Sequence, residues 1–123
     1  MDPTTILKTA TVLLALTALG GLTLAGIRFT RDAEPPAWLA MVHGLIAGAA
    51  LTLLIYAAFT VGIPTLALWA TVLFVLAAIG GVVLNLGYHW HHRPLPKGLI
   101  LGHAAIAVIG FVMLAVAAFG GRA

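Results

Sequence analysis

Four long apolar runs separated by short polar breaks account for nearly the whole chain. They extend from about Thr5 to Phe29, Ala37 to Thr60, Pro64 to Tyr88 and Leu95 to Gly120. Each is roughly 20 residues or longer, the length that crosses bilayer hydrocarbon at about 1.5 Å per helical residue. The pattern therefore predicts an all-α protein with four membrane-spanning helices. Pro64 suits a first helical turn, where a missing N–H costs nothing, and Pro36 and Pro96 sit at or just before the second and fourth helices for the same reason. The break at Thr60–Ile63 is tight and uncharged. The other two, Arg28–Pro36 and His89–Pro94, are polar and fall together on the opposite side, called side B here.

The runs repeat. Residues 2–60 align with 62–120 at a constant offset of 60, with 19 identities in 59 positions and no gap. Ala10-Thr11-Val12-Leu13 meets Ala70-Thr71-Val72-Leu73, and Gly20-Gly21 meets Gly80-Gly81. Pro36 meets Pro96, His43 meets His103, and Ala57-Ala58-Phe59 meets Ala117-Ala118-Phe119. Apolar sequence matches itself easily, but an ungapped register that includes a rare histidine points to a duplicated helical hairpin. A two-span unit returns the chain to the side where it began. The halves are thus expected to be parallel repeats within a single domain, 1–123, forming a four-helix bundle about an axis along the membrane normal.

Composition narrows the class. Hydrophobic residues make up 63% of the 123 and charged ones only 7%, with mean hydropathy +1.16, which is outside the range of a small soluble domain. With no cysteine there is no disulfide framework, thiolate metal site, iron–sulfur cluster or thioether-bound haem. The apolar run from Thr9 to Ile27 is too long for the core of a cleavable leader. The basic balance comes from six Lys and Arg against three Asp and Glu, and it reads through topology, with no nucleic-acid partner expected. Side B holds Arg28, Arg31, Arg93 and Lys97, and the other side holds Lys8 and Arg122. The excess favours side B as cytoplasmic. The expected placement is a multi-pass protein of the bacterial inner membrane, with both termini outside the cytoplasm.

His43 and His103 each lie seven residues past a proline, roughly 10 Å below the side B end of their helices. On helix two, Leu39, His43, Ile46, Ala47, Leu54, Ala57 and Ala58 recur in the second copy and trace one stripe. That stripe turns both histidines inward. Ala47 and Ala107 lie one turn below them, and Gly20, Gly21, Gly80 and Gly81 fall near the same depth.

Facing imidazoles ringed by small residues suit a haem. The iron takes two axial histidines, and small side chains leave room for the ring edges. Arg28, Arg31, Arg93 and Lys97 would stand near its propionates. Glycine pairs in membrane helices also serve close packing alone, and a histidine near a helix end can simply be a satisfied polar residue. Another metal on the same pair fits less well, because zinc needs three or four ligands and the spans contain no Asp, Glu or Cys. Met41 and Met113 are poorly placed as soft ligands for copper.

A second cluster is asymmetric. His89, His91 and His92, with Tyr88 and Trp90, end the third span and have no counterpart in the first half. They fit an interfacial aromatic belt with solvated histidines, a proton-accepting or quinone-head-group surface, or a weak surface metal site through His89 and His92. Asn85, opposite Ala25, would hydrogen-bond a quinone, a ligand histidine or another helix. Intramembrane carboxylates, Ser–His–Asp sets and phosphate loops are all absent, which argues against proton-coupled export and hydrolysis.

With His43 and His103 in a four-span bundle, the chain resembles the small membrane b-type cytochromes. These include the cytochrome b561-like proteins and the membrane-anchor cytochromes of respiratory dehydrogenases. The resemblance covers architecture and the histidine pair. The b561-type proteins typically carry four core histidines for two haems, so here it implies one haem b near side B. It also implies electron exchange with quinone or a partner protein, as part of a quinone-linked oxidoreductase, other redox complex or homodimer. The alternatives are a redox-inert structural or assembly subunit of a larger membrane complex, and a haem or metal-ion carrier.

Overall fold

A computed structural model describes residues 1–121. The chain is an all-α four-helix bundle. Helix α1 spans Pro3–Arg31, α2 Ala37–Thr60, α3 Thr65–Val82 and α4 Lys97–Phe119. All four are long and apolar enough to cross a membrane, α3 when continued to His91. Helix α1 packs along α2 and α3 along α4, so each hairpin is a unit, and α1 also packs on α4 more extensively than α2 packs on α3. Helices α2 and α4 therefore stand diagonally. The looser seam leaves an apolar cleft of about 330 Å³ between Ile55, Phe59, Leu68 and Val72, far from side B.

Helix ends follow local chemistry. Asp2 caps α1, accepting from the Thr5 N–H at 3.0 Å and the Thr5 hydroxyl at 2.6 Å, with Pro3 in the first turn. The helix therefore begins before the expected Thr5. It runs to Arg31 and stops at Asp32, which takes a left-handed conformation with φ 50°. Helix α2 has the expected bounds. Helix α4 starts at Lys97, two residues later than expected. The residue before a proline disfavours the α region, and Pro96 itself is extended.

The third span departs most from expectation. After Val82 its backbone widens into a π-helical segment, Val83–Tyr88, then tightens into a 3-10 turn, His89–His91. It ends at His92 with φ 53°, sixty residues after Asp32 does the same for α1. The two ends thus agree in length, while the wide turns rotate the side chains between them.

The core is thin and built from small residues. Leu7, Ala10 and Leu14 of α1 meet Ala50 and Leu54 of α2, Ala67, Ala70 and Phe74 of α3, and Leu114 and Ala118 of α4. Large apolar residues such as Leu22, Trp38, Leu45 and Phe59 face outward, as in a protein whose surface contacts lipid. The threonines inside the helices are mostly satisfied by their own backbone. Thr11, Thr17, Thr23, Thr52 and Thr71 each donate to the carbonyl four residues back, so their hydroxyls need no water. At both membrane ends cations lie over rings of another helix: Lys8 over Phe119 at 5.5 Å, and Lys97 over Phe29 at 5.6 Å.

Two outcomes follow. Its bonds to Thr5 hold the Asp2 carboxyl below its ordinary value of 3.8. A depressed carboxylate contributes stability above its unfolded pKa and loses it as pH falls through the folded value. Protection of the Thr5 amide, taken relative to the intrinsic exchange rate at each pH, should therefore fall only below about pH 4 in a hydrogen-exchange series. Gly62, at φ 76°, makes the α2–α3 turn. Gly62→Ala should lower stability by about 1–2 kcal/mol in a detergent unfolding titration.

Candidate functional site

The stripe read from the repeat faces inward. Leu39, His43, Ile46, Ala47, Leu54, Ala57 and Ala58 are all buried or half-buried, and so are their counterparts from Leu99 to Ala118. Met41 is exposed on the opposite face.

The two imidazoles meet across the diagonal of the bundle, with ring centroids 6.3 Å apart and planes at 69°. Each is held by the neighbouring helix of its own hairpin. His43 Nδ1 lies 2.8 Å from the Thr17 carbonyl oxygen, and His103 Nδ1 lies 2.8 Å from that of Ala77. A carbonyl only accepts, so Nδ1 carries the proton in both rings, and a neutral ring keeps its lone pair on Nε2. Neither Nε2 is engaged among the described residues. No sealed side-chain nitrogen or oxygen lacks a partner there, so both Nε2 atoms border open space.

The glycines lie directly beneath the rings. Gly20 and Gly21 contact His43, and Gly80 and Gly81 contact His103, each over its own ring only. The space they leave is occupied by imidazole. Ala47 and Ala107 are half-buried one turn below.

Three of the four cationic residues of side B are already partnered within the protein. Arg28 bonds Asp32 and donates from Nε to the Leu95 carbonyl at 3.0 Å. Lys97 lies 3.9 Å from Asp32. Arg93 donates to the Gly87 carbonyl at 3.3 Å and lies over Tyr88. Arg31 is exposed, and Arg122 lies outside the described residues.

The histidine cluster divides. His91 and His92 are exposed, but His89 is buried, so a fully solvated belt does not describe it. The π-helical turns rotate it inward, where its Nε2–H donates to the Pro35 carbonyl at 2.7 Å, whereas its repeat counterpart Phe29 is exposed. His92 Nδ1 lies 3.0 and 3.1 Å from the two Glu34 oxygens. Glu34 is the residue that sequence reading missed. Its signal was that it is one of only three acidic residues and lies on the histidine side. With Arg28, Asp32, His92 and Arg93 it lines a cavity of about 190 Å³ between the two side B loops.

Among the described residues no group of three or more His, Cys, Asp or Glu is arranged to hold a metal ion, and this includes His89 and His92. Asn85 is exposed on the π-helical segment and is not brought to either core histidine, whose Nδ1 atoms bond carbonyls. No family model, curated protein or solved structure matches the chain.

His89→Phe, which copies the first half, should leave the Pro35 carbonyl without its donor. Expected is a loss of about 1–3 kcal/mol in a detergent unfolding titration, with helix content unchanged by circular dichroism.

Proposed function

We propose that the protein is an integral membrane b-type cytochrome that binds one haem between His43 and His103 and exchanges electrons with quinone or a partner redox protein. One observation carries this reading: two imidazoles on diagonal helices, each with Nδ1–H pinned to a carbonyl and Nε2 without a partner among the described residues. A metal–imidazole bond is about 2.0–2.1 Å, and the ring adds about 1.1 Å, so two axial imidazoles on one metal have centroids about 6–6.5 Å apart. The observed 6.3 Å falls in that interval.

The donor set also fits. Two nitrogens alone do not complete the sphere of zinc or another bare ion, whereas a porphyrin brings four of its own. When bound, the haem would supply a reversible one-electron couple. The chain's own residues orient the ligands through the Thr17 and Ala77 carbonyls, which also raises ligand basicity.

The finer placement belongs to the same reading. Two fused hairpins sit in a bacterial inner membrane with side B cytoplasmic, supported by Arg28, Arg31, Arg93 and Lys97. The polar depression beside Glu34 and His92 lies on the side of the bundle nearer the histidines.

Detergent-purified protein, oxidised and then reduced with dithionite, should give a sharp low-spin b-type spectrum. His43→Ala and His103→Ala should each abolish it. A protein that stays colourless after haem is added would overturn the reading.

A further inference from the structure

The glycine pairs carry more than their size. A Cβ built on Gly21 would lie 2.9 Å from His43 Cε1, closer than real Cβ atoms approach. One built on Gly20 would lie 3.7 Å from the His43 Cβ and Nδ1, an ordinary contact. The second half repeats the contrast more gently, with 3.3 Å from Gly81 to His103 Cε1 and 3.6 Å from Gly80 to Nδ1. Within each pair, an added methyl would crowd the ring at one glycine, sharply at Gly21 and mildly at Gly81, and would make only an ordinary contact at the other.

The reason lies in a single helical turn. Thr17 accepts the His43 bond, and Gly21 is four residues on, so acceptor and floor stand one above the other on α1. Ala77 and Gly81 do the same on α3. Cε1 lies between the two ring nitrogens. A methyl group pressing on it forces the ring to turn or to lengthen its Nδ1–H···O bond, and either movement re-aims Nε2.

We propose that Gly21 and Gly81 are positioning residues that lock each imidazole onto its carbonyl and so set the angle and strength of the two axial ligands, while Gly20 and Gly80 serve helix packing alone. The ligand part rests on the cytochrome reading. The locking of the rings does not.

The test compares Gly20→Ala, Gly21→Ala, Gly80→Ala and Gly81→Ala in detergent-solubilised protein. Without haem, nitrogen-15 NMR of the histidine rings should show the Nδ1–H signal shifted or lost for His43 in Gly21→Ala and shifted for His103 in Gly81→Ala. It should be unchanged in the other two. With haem, affinity should fall about 10- to 100-fold in Gly21→Ala and less in Gly81→Ala. The low-spin EPR signal, which reports the angle between ligand planes, should move in the same two variants. Gly81→Ala has the milder contact, so it decides the matter if Gly21→Ala does not fold.

Equal effects across each pair would reduce the glycines to packing and overturn the proposal, as would unchanged ring signals in all four variants. A wild-type protein that takes up no haem would overturn the cytochrome reading, and the ring signals of the same samples would still decide the positioning claim.

Discussion

The bond from an imidazole N–H to a helix carbonyl is the constraint around which the interior is arranged. An imidazole N–H turned into the seam between two helices costs about 2–7 kcal/mol if it finds no acceptor there. The backbone supplies one. Thr17 and Ala77 already accept within their own helices and use a second lone pair for the ring. That requires the ring to reach the surface of the adjacent helix, which requires a bare backbone at the contact. Gly21, Gly81 and the close packing within each hairpin answer to this one requirement.

The four spans were legible because hydropathy and length dominate helix formation in apolar surroundings. The inward stripe was legible because the offset of 60 preserved Leu39, Ile46, Ala47 and Leu54 around His43. The role of the glycines was only half legible. Sequence showed that small residues share a depth with the histidines, but not whether a flat ring, a helix or an imidazole fills the space. The end of the third span was legible in place but not in form. Residues 83–91, VLNLGYHWH, contain no proline, and the polar Asn85, His89 and His91 do not distinguish a widened backbone from an ordinary helix end.

Side B shows the same limit from the electrostatic side. Counting Arg28, Arg31, Arg93 and Lys97 treats them as free charges facing one way. In the fold, Asp32 draws both Arg28 and Lys97, and Arg93 turns back onto Tyr88 and Gly87. Glu34 pairs with His92, an approach made by two loops far apart in sequence. Sequence gives the inventory of such a surface, but the pairing depends on how the hairpins dock. These contacts leave Arg31 as the least committed of the four.

The rotation of His89 makes the attachment between the halves unequal. Its imidazole reaches from the second hairpin to the Pro35 carbonyl of the first, while the corresponding Phe29 points outward and grips nothing in return except the passing Lys97. The α1–α2 loop is therefore tethered at its exit into α2, immediately upstream of the helix that carries His43. The opposite loop is held chiefly through Leu95, by the Arg28 side chain. A sideways load on side B would thus be borne unequally: one helix entrance is anchored to a buried ring, the other to the end of a long, jointed arm.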